Sequence, residues 1–297
     1  MRGIFFATFA FAAFAAVAVN PAAAQWNGNP NGWFAPGGGL EAPLTVEGRL
    51  YGGWADATTF GWRVPSYDFG GSGAVRVPYG PFSVQASVAG EELNYSTSVG
   101  NPSFLTGGLH FDWTAAPGLQ IGPFVGLDSG TLTFSNQQGL NAFVGVEGRQ
   151  FFGPAVVGVQ AGYFDNAAGA ASLIRTGFVD ARVKLSVGYF LDSPAWQNTI
   201  IGANVGVGSG TDSATLTGAQ STYWGASLLQ GVPGTPFSVT FDYLHFDNHV
   251  DGTGTVWRQN EFLFGFRYLF PSAPGVRASP EPTEPLPTLL MRAALHF

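Results

Sequence analysis

The sequence predicts an all-β fold, a single closed, antiparallel, up-and-down β-barrel of about twelve strands crossing a membrane. Three observations predict it. After residue 24 no apolar run is long enough for a membrane-spanning helix, yet 45% of the 297 residues are hydrophobic, 15% aromatic and only 10% charged. A water-solvated surface does not carry that balance. From Thr45 onward, segments of about ten residues alternate apolar with polar side chains, the period of a strand and the length a tilted strand needs to cross a bilayer. Short Pro/Gly turns alternate with longer polar stretches between them. Inside lipid only helices and closed barrels satisfy their backbone polar groups, so the pattern selects the barrel.

The N-terminus reads as a secretory signal. Met1-Arg2 supplies a positive charge, Ile4 to Val19 form a Phe/Ala-rich apolar run, Asn20-Pro21 breaks it, and Ala22-Ala23-Ala24 offers small side chains for cleavage before Gln25. An uncleaved anchor helix is the alternative, but the run falls short of the ~20 apolar residues a span requires. Residues 1–24 are therefore signal. Residues 25–44, rich in Asn, Gly and Pro, read as a flexible arm, residues 45–270 as the barrel, and residues 271–297 as a Pro-rich tail or a final strand.

The strands follow in order. In the first, Val46, Gly48, Leu50, Gly52 and Trp54 alternate with Glu47, Arg49 and Tyr51. The second and third form a hairpin across Gly80-Pro81, with Val75, Val77 and Tyr79 opposing Arg76, and Phe82, Val84, Ala86 and Val88 opposing Ser83, Gln85 and Ser87. In the fourth, Leu105, Gly107, Leu109, Phe111 and Trp113 oppose His110 and Asp112; after Ala116-Pro117-Gly118, Leu119, Ile121, Val125 and Leu127 oppose Gln120 and Asp128. The sixth sets Ala142, Val144 and Val146 against Asn141, Glu147 and Arg149. Across Gly153-Pro154, the seventh sets Val157, Val159, Ala161 and Tyr163 against Gln160. Val179 to Tyr189 alternates with Asp180, Arg182, Lys184 and Ser186, and Ile201 to Val207 with Asn204. The register of Tyr223 to Leu229 is ambiguous. Phe237 to Tyr243 opposes Ser238, Thr240 and Asp242, and Phe262 to Phe270 opposes Glu261 and Arg267.

Longer polar loops are expected at 57–69, 91–102, 129–138, 166–172, 209–220 and 247–255, all on one side of the membrane. Trp54, Tyr79, Phe82, Trp113, Tyr163, Tyr189, Phe237 and Phe270 sit near segment ends, where aromatic rings prefer the headgroup level. A soluble β-sandwich also alternates, but its polar face should be richly charged, and this one is not.

Charge and cysteine content exclude several classes. The formal net charge is −7, and losing Arg2 with the signal makes it more negative, which argues against a nucleic-acid partner. The absence of cysteine excludes a disulfide scaffold, a thiolate nucleophile and a Cys-ligated metal. The glycines form no phosphate-binding loop followed by a helix, so no cofactor is expected.

Over residues 1–270 the chain resembles Gram-negative outer-membrane β-barrel proteins, porin-like ones among them. The resemblance implies a place in the cell outer membrane, with lipid and lipopolysaccharide around the barrel and the short turns in the periplasm. It also implies recognition by the barrel assembly machinery through a terminal aromatic preceded by alternating apolar residues. Two stretches fit that signal: Phe262 to Phe270, which is internal, and Leu289, Met291, Ala293, Leu295 and Phe297. Counting the second as a strand gives thirteen, against the even number expected of such barrels. The tail reading keeps twelve, and a missed strand would make fourteen. Oligomeric state is not legible.

The lumen face carries the candidate site: Glu47, Arg49, Arg76, Asp112, Glu147, Arg149, Asp180, Arg182, Lys184, Asp242, Glu261 and Arg267, with Asp128 nearer a rim. The function expected is passive passage of small hydrophilic solutes through a pore whose opposed charges set a transverse field. If the charges instead pair and fill a narrow lumen, the barrel is a channel-less structural or surface-interaction protein. An outer-membrane hydrolase is the third reading. Its one candidate cluster, His245, Asp247, Asn248, His249 and Asp251, faintly resembles the His-x-Ser-Asn stretch of lipid A deacylases, but Asp247 stands where the nucleophilic serine belongs. His249 with Asp247 or Asp251 would make only a weak metal site. The expectation is a protein without catalytic residues or bound metal.

Overall fold

The structure, a computed structural model, describes residues 44–270 apart from 60, 96–100, 132–137, 153, 170–172, 188–189, 191–195, 197, 213–215 and 253. The proposed signal, most of the arm, Tyr189, Gly153, and residues 271–297 with Phe297 lie outside the described residues.

Twelve strands form one closed ring: β1 (Thr45–Thr59), β2 (Trp62–Tyr79), β3 (Phe82–Tyr95), β4 (Ser103–Ala116), β5 (Leu119–Thr131), β6 (Gln138–Phe152), β7 (Ala155–Gly169), β8 (Leu173–Ser186), β9 (Thr199–Asp212), β10 (Gly218–Gly231), β11 (Phe237–Val250) and β12 (Gly254–Phe270). Each pairs antiparallel with its sequence neighbours. β12 closes on β1 in a continuous register that opposes Val46 to Phe270 and Thr59 to Trp257. Closure removes the edge that an open sheet would expose.

The strand count and order match the sequence reading, but the strands run further than expected. Residues 62–69 belong to β2 and 247–250 to β11, so the β1–β2 connection shrinks to residues 60–61. The physical reason lies in the outward side chains near this end, Asp56, Arg63, Asp165, Arg175, Asp247 and Arg258. They replace the apolar half of the alternation and make strand look like loop. The longest connection, residues 187–198, joins β8 to β9 on the side expected to hold only short turns. In the two-residue turns of that side, Gly80 and Gly118 adopt left-handed φ of 58° and 73°, which their lack of a Cβ permits.

Outward side chains below the charged rim are apolar and exposed, among them Leu109, Val125, Val144, Val146, Val159, Val205 and Phe264. Tyr79, Phe82, Trp113 and Phe237 stand exposed near the short-turn end, and Trp62, Tyr67, Phe69 and Tyr163 toward the other. An apolar band flanked by aromatic girdles is the surface a lipid bilayer solvates. At the far rim the outward charges pair with one another, Arg63 with Asp56 at 2.6 Å and Arg258 with Asp247 at 2.8 Å.

Candidate functional site: the barrel interior

Strand alternation sends every second side chain inward, and the inward set is stratified along the barrel axis. Nearest the short turns is a layer of charges. Asp112 on β4 is held by Arg149 Nη2 at 3.0 Å and by Arg76 Nη2 at 3.4 Å. Ser83 accepts hydrogen bonds from Arg76, and Gln120 Oε1 accepts one from Arg149 Nε at 2.7 Å. Beside them, Glu147 meets His110 Nδ1 at 2.8 Å and accepts from Gln160 Nε2 at 2.7 Å. Gln160 Oε1 in turn accepts from Arg182 at 3.2 Å. Across the β1–β12 seam, Arg267 reaches Glu47 at 2.9 Å, and Arg49 pairs with Asp242 of β11 over the top of β12.

A cavity of about 240 Å³ opens in this layer and runs up toward Glu91. Glu47, Arg49, Arg182, Lys184, Asp242 and Arg267 all line it. Thus every charged residue the sequence assigned to the lumen face takes part in this charged layer, apart from three that sit deeper. Asp180 is fully buried one step above Arg182 along β8, Asp128 is buried on β5, and Glu261 lies higher on β12.

The middle layer is aromatic, which the alternation reading missed. Phe124, Phe143, Phe164, Phe178, Tyr223 and Phe246 point inward and form one buried cluster with Leu244 and Leu263. Their rings lie along the wall on inward-facing glycines: a Cβ at Gly126, Gly145, Gly162 or Gly206 would collide with the rings of Phe143, Phe124, Phe178 or Tyr223. Phe124 bridges the two layers, 5.8 Å from the ring of His110 and 6.2 Å from that of Phe143. A signal for this layer was present in the sequence. Phe124 is in phase with Gln120 and Asp128, and Phe178 with Asp180 and Arg182, so parity alone assigns both rings to the interior.

Above the aromatic layer, Asp68, Glu91 and Glu261 bring carboxylate oxygens within 4.8 Å of one another, all buried. Tyr51 donates to Glu91 at 2.8 Å, Ser66 to Asp68 at 3.2 Å, and Gln259 donates to Glu261 while accepting from Trp257 Nε1 at 3.0 Å. Oxygen donors of this kind suit a hard cation, Ca²⁺ or Mg²⁺. Sequence reading placed Asp68 and Glu91 in loops and so missed the group. Asp128, at the same level on β5, accepts from Thr106 at 2.5 Å and Asn141 at 3.4 Å. The interior is capped near the rim by Ala57, Val64, Leu93, Tyr95, Phe104 and Trp257.

The His245 cluster faces away from all of this. His245, Asp247 and His249 share the outward face of β11. His245 Nδ1 lies 2.8 Å from Asn260 Oδ1 with its ring against Trp224, and Asp247 is occupied by Arg258.

No family model and no curated protein matches the chain. Solved structures do. The chain is similar to the COG4313 outer membrane channel from Pseudomonas putida F1, at 11% identity and a TM-score of 0.52, over 82% of this chain and 98% of that one. It also aligns with the translocator domain of autotransporter NalP from Neisseria meningitidis (14% identity, TM-score 0.45, 77% and 88% covered) and with the KdgM porin (10%, 0.43, 74% and 98%). At these identities the likeness is one of fold.

Proposed function

We propose, from the premise that the chain has the fold of an outer-membrane β-barrel, that it is a porin-like passive channel for small hydrophilic solutes. The observation that carries this reading is the cavity between β1, β8, β11 and β12, whose walls present opposed charges to a common space. The aromatic layer above it acts as the constriction, since an apolar ring controls passage by excluding water. The protein is exported to the outer membrane of a Gram-negative bacterium after cleavage near Ala24, is assembled by the barrel machinery, and sits among lipid and lipopolysaccharide. No enzymatic role is assigned, because Asp247 is held by Arg258 and faces outward. Recording the purified mature chain in a planar bilayer tests the channel: discrete current steps that scale with salt are expected, and their absence sinks it.

One observation favours a second reading, a channel-less barrel with a structural or surface-interaction role. Trp257, Tyr223, Phe124 and Phe164 are each no more than 1% exposed, so the upper interior is packed like a core. The same recording separates the two.

A further inference from the structure

Among the described residues, Arg63, Arg175 and Arg258 are the cations that stand on the outer surface, and two of them share one place. Arg258 of β12 is directly opposite Thr58 of β1, and Thr58 is directly opposite Arg63 of β2. The two arginines therefore flank one short side chain on the outer wall, two strand spacings or about 10 Å apart at the backbone. Each is braced by a carboxylate. Asp56 accepts from Arg63 Nε, and one oxygen of Asp247 accepts from Arg258 Nε and Nη2. The arginine side chains are 69% and 55% exposed, their carboxylate partners only 25% and 26%. The acids thus stand behind the bases, and what the wall presents is guanidinium, which has five N–H donors and spends only some of them on its carboxylate.

Toward the membrane the same strands carry a shelf of rings. Trp54 is opposite both Phe262 and Tyr67, and stacks on Phe262 at 5.7 Å between centroids. Tyr243 lies 5.1 Å from Phe262, and Tyr67 and Phe69 stand exposed beside them. A guanidinium edge over an aromatic shelf matches an amphiphile whose phosphates sit at the edge and whose acyl chains run down the shelf. The edge is on the long-loop side, which faces outward from the cell, and the lipid of that leaflet is lipopolysaccharide. Its lipid A end carries a phosphate on each sugar of a two-sugar headgroup, where a phospholipid offers one phosphate. Two guanidinium groups held apart by a strand suit the former.

We propose that Arg63 and Arg258 form a lipopolysaccharide site on the outer wall across β1, each guanidinium taking one lipid A phosphate while the acyl chains lie against Trp54, Phe262 and Tyr67. The site needs the outer-membrane placement but not the channel, so a silent bilayer recording leaves it intact.

The test is native mass spectrometry of the refolded mature chain in detergent micelles titrated with diphosphoryl lipid A, monophosphoryl lipid A or phosphatidylglycerol. Diphosphoryl lipid A should bind most tightly. R63Q/R258Q should lose about tenfold in affinity for it, and R175Q, on β8 and away from the seam, should bind like wild type. R63Q and R258Q singly should each lose part of that affinity, and they serve if the double variant does not fold. Undiminished binding by R63Q/R258Q, or an equal loss in R175Q, overturns the site. Phosphatidylglycerol held as tightly as diphosphoryl lipid A overturns it too, leaving an ordinary anionic-lipid surface, and so does no binding by wild type.

Discussion

Asp112 Oδ2 lies 3.0 Å from Arg149 Nη2 and 3.4 Å from Arg76 Nη2, one carboxylate clasped by two guanidinium groups that reach it from β6 and β2. All three side chains are almost fully buried. Removing the acid leaves two cations facing each other out of water, and breaking a buried pair costs about 3–5 kcal/mol. Asp112→Ala should lower the unfolding free energy of the refolded barrel, measured in urea, by that amount, and D112L/R149M should recover part of the loss. Equal unfolding free energies for wild type and D112A would show that the clasp does not contribute to stability.

The ring of Phe124 occupies the space a Cβ at Gly145 would need. Gly145→Val should therefore destabilise the barrel by about 1–3 kcal/mol, the usual effect of overpacking. Truncating the obstructing ring, in F124A/G145V, should restore the thermal midpoint relative to G145V. Additive losses in the double variant would refute the ring-on-glycine arrangement.

Val146 faces outward in the apolar band, whereas Thr58 faces outward at the charged rim. An arginine at a lipid-facing midplane position costs about 2–4 kcal/mol and much less near an interface. V146R should lose that stability in lipid vesicles, and T58R should stay within about 1 kcal/mol of wild type. Similar losses at both sites would place the bilayer elsewhere on the barrel.

If the aromatic layer is the constriction, thinning it opens the path. F178A and F246A should each raise single-channel conductance, while Val207→Ala, on the outer face of β9, should not. Unchanged conductance in both phenylalanine variants would move the constriction away from this layer.

Mass spectrometry of the protein from an outer-membrane fraction should find a chain beginning at Gln25, since Ala22-Ala23-Ala24 provides the small residues that processing requires. A chain retaining Met1 would replace the signal with an anchor.

What the sequence revealed follows from where each side chain is solvated. In the apolar band lipid is outside and polar groups are inside, so alternation was clear and the strand order followed. Nearer the rim the outside is polar too, and Asp56, Arg63, Asp247 and Arg258 erased the contrast that marks a strand. β10 stayed ambiguous for a related reason: Ser221, Tyr223 and Leu229 face inward while Thr222, Trp224 and Leu228 face outward, so each face mixes both kinds. The charged layer was legible because a charge on a strand otherwise bordered by lipid has one affordable direction. The aromatic layer was overlooked because a lumen assumed to be uniformly polar has no place for phenylalanine, and the Asp68–Glu91–Glu261 group because Asp68 and Glu91 were read as loop residues.

The seam between β1 and β12 also governs how the molecule comes to exist. It joins residues more than two hundred positions apart, as Val46 against Phe270 illustrates, and such distant pairings form late because the intervening chain must first be ordered. Until they form, the other strands make a curved ribbon with two bare margins, each able to recruit a foreign strand. The barrel is thus finished in one terminal event. Arg267 with Glu47 and Arg49 with Asp242, which both bridge the join, act as a latch: a ribbon meeting itself one residue out of step would turn these charges toward lipid and fall open again.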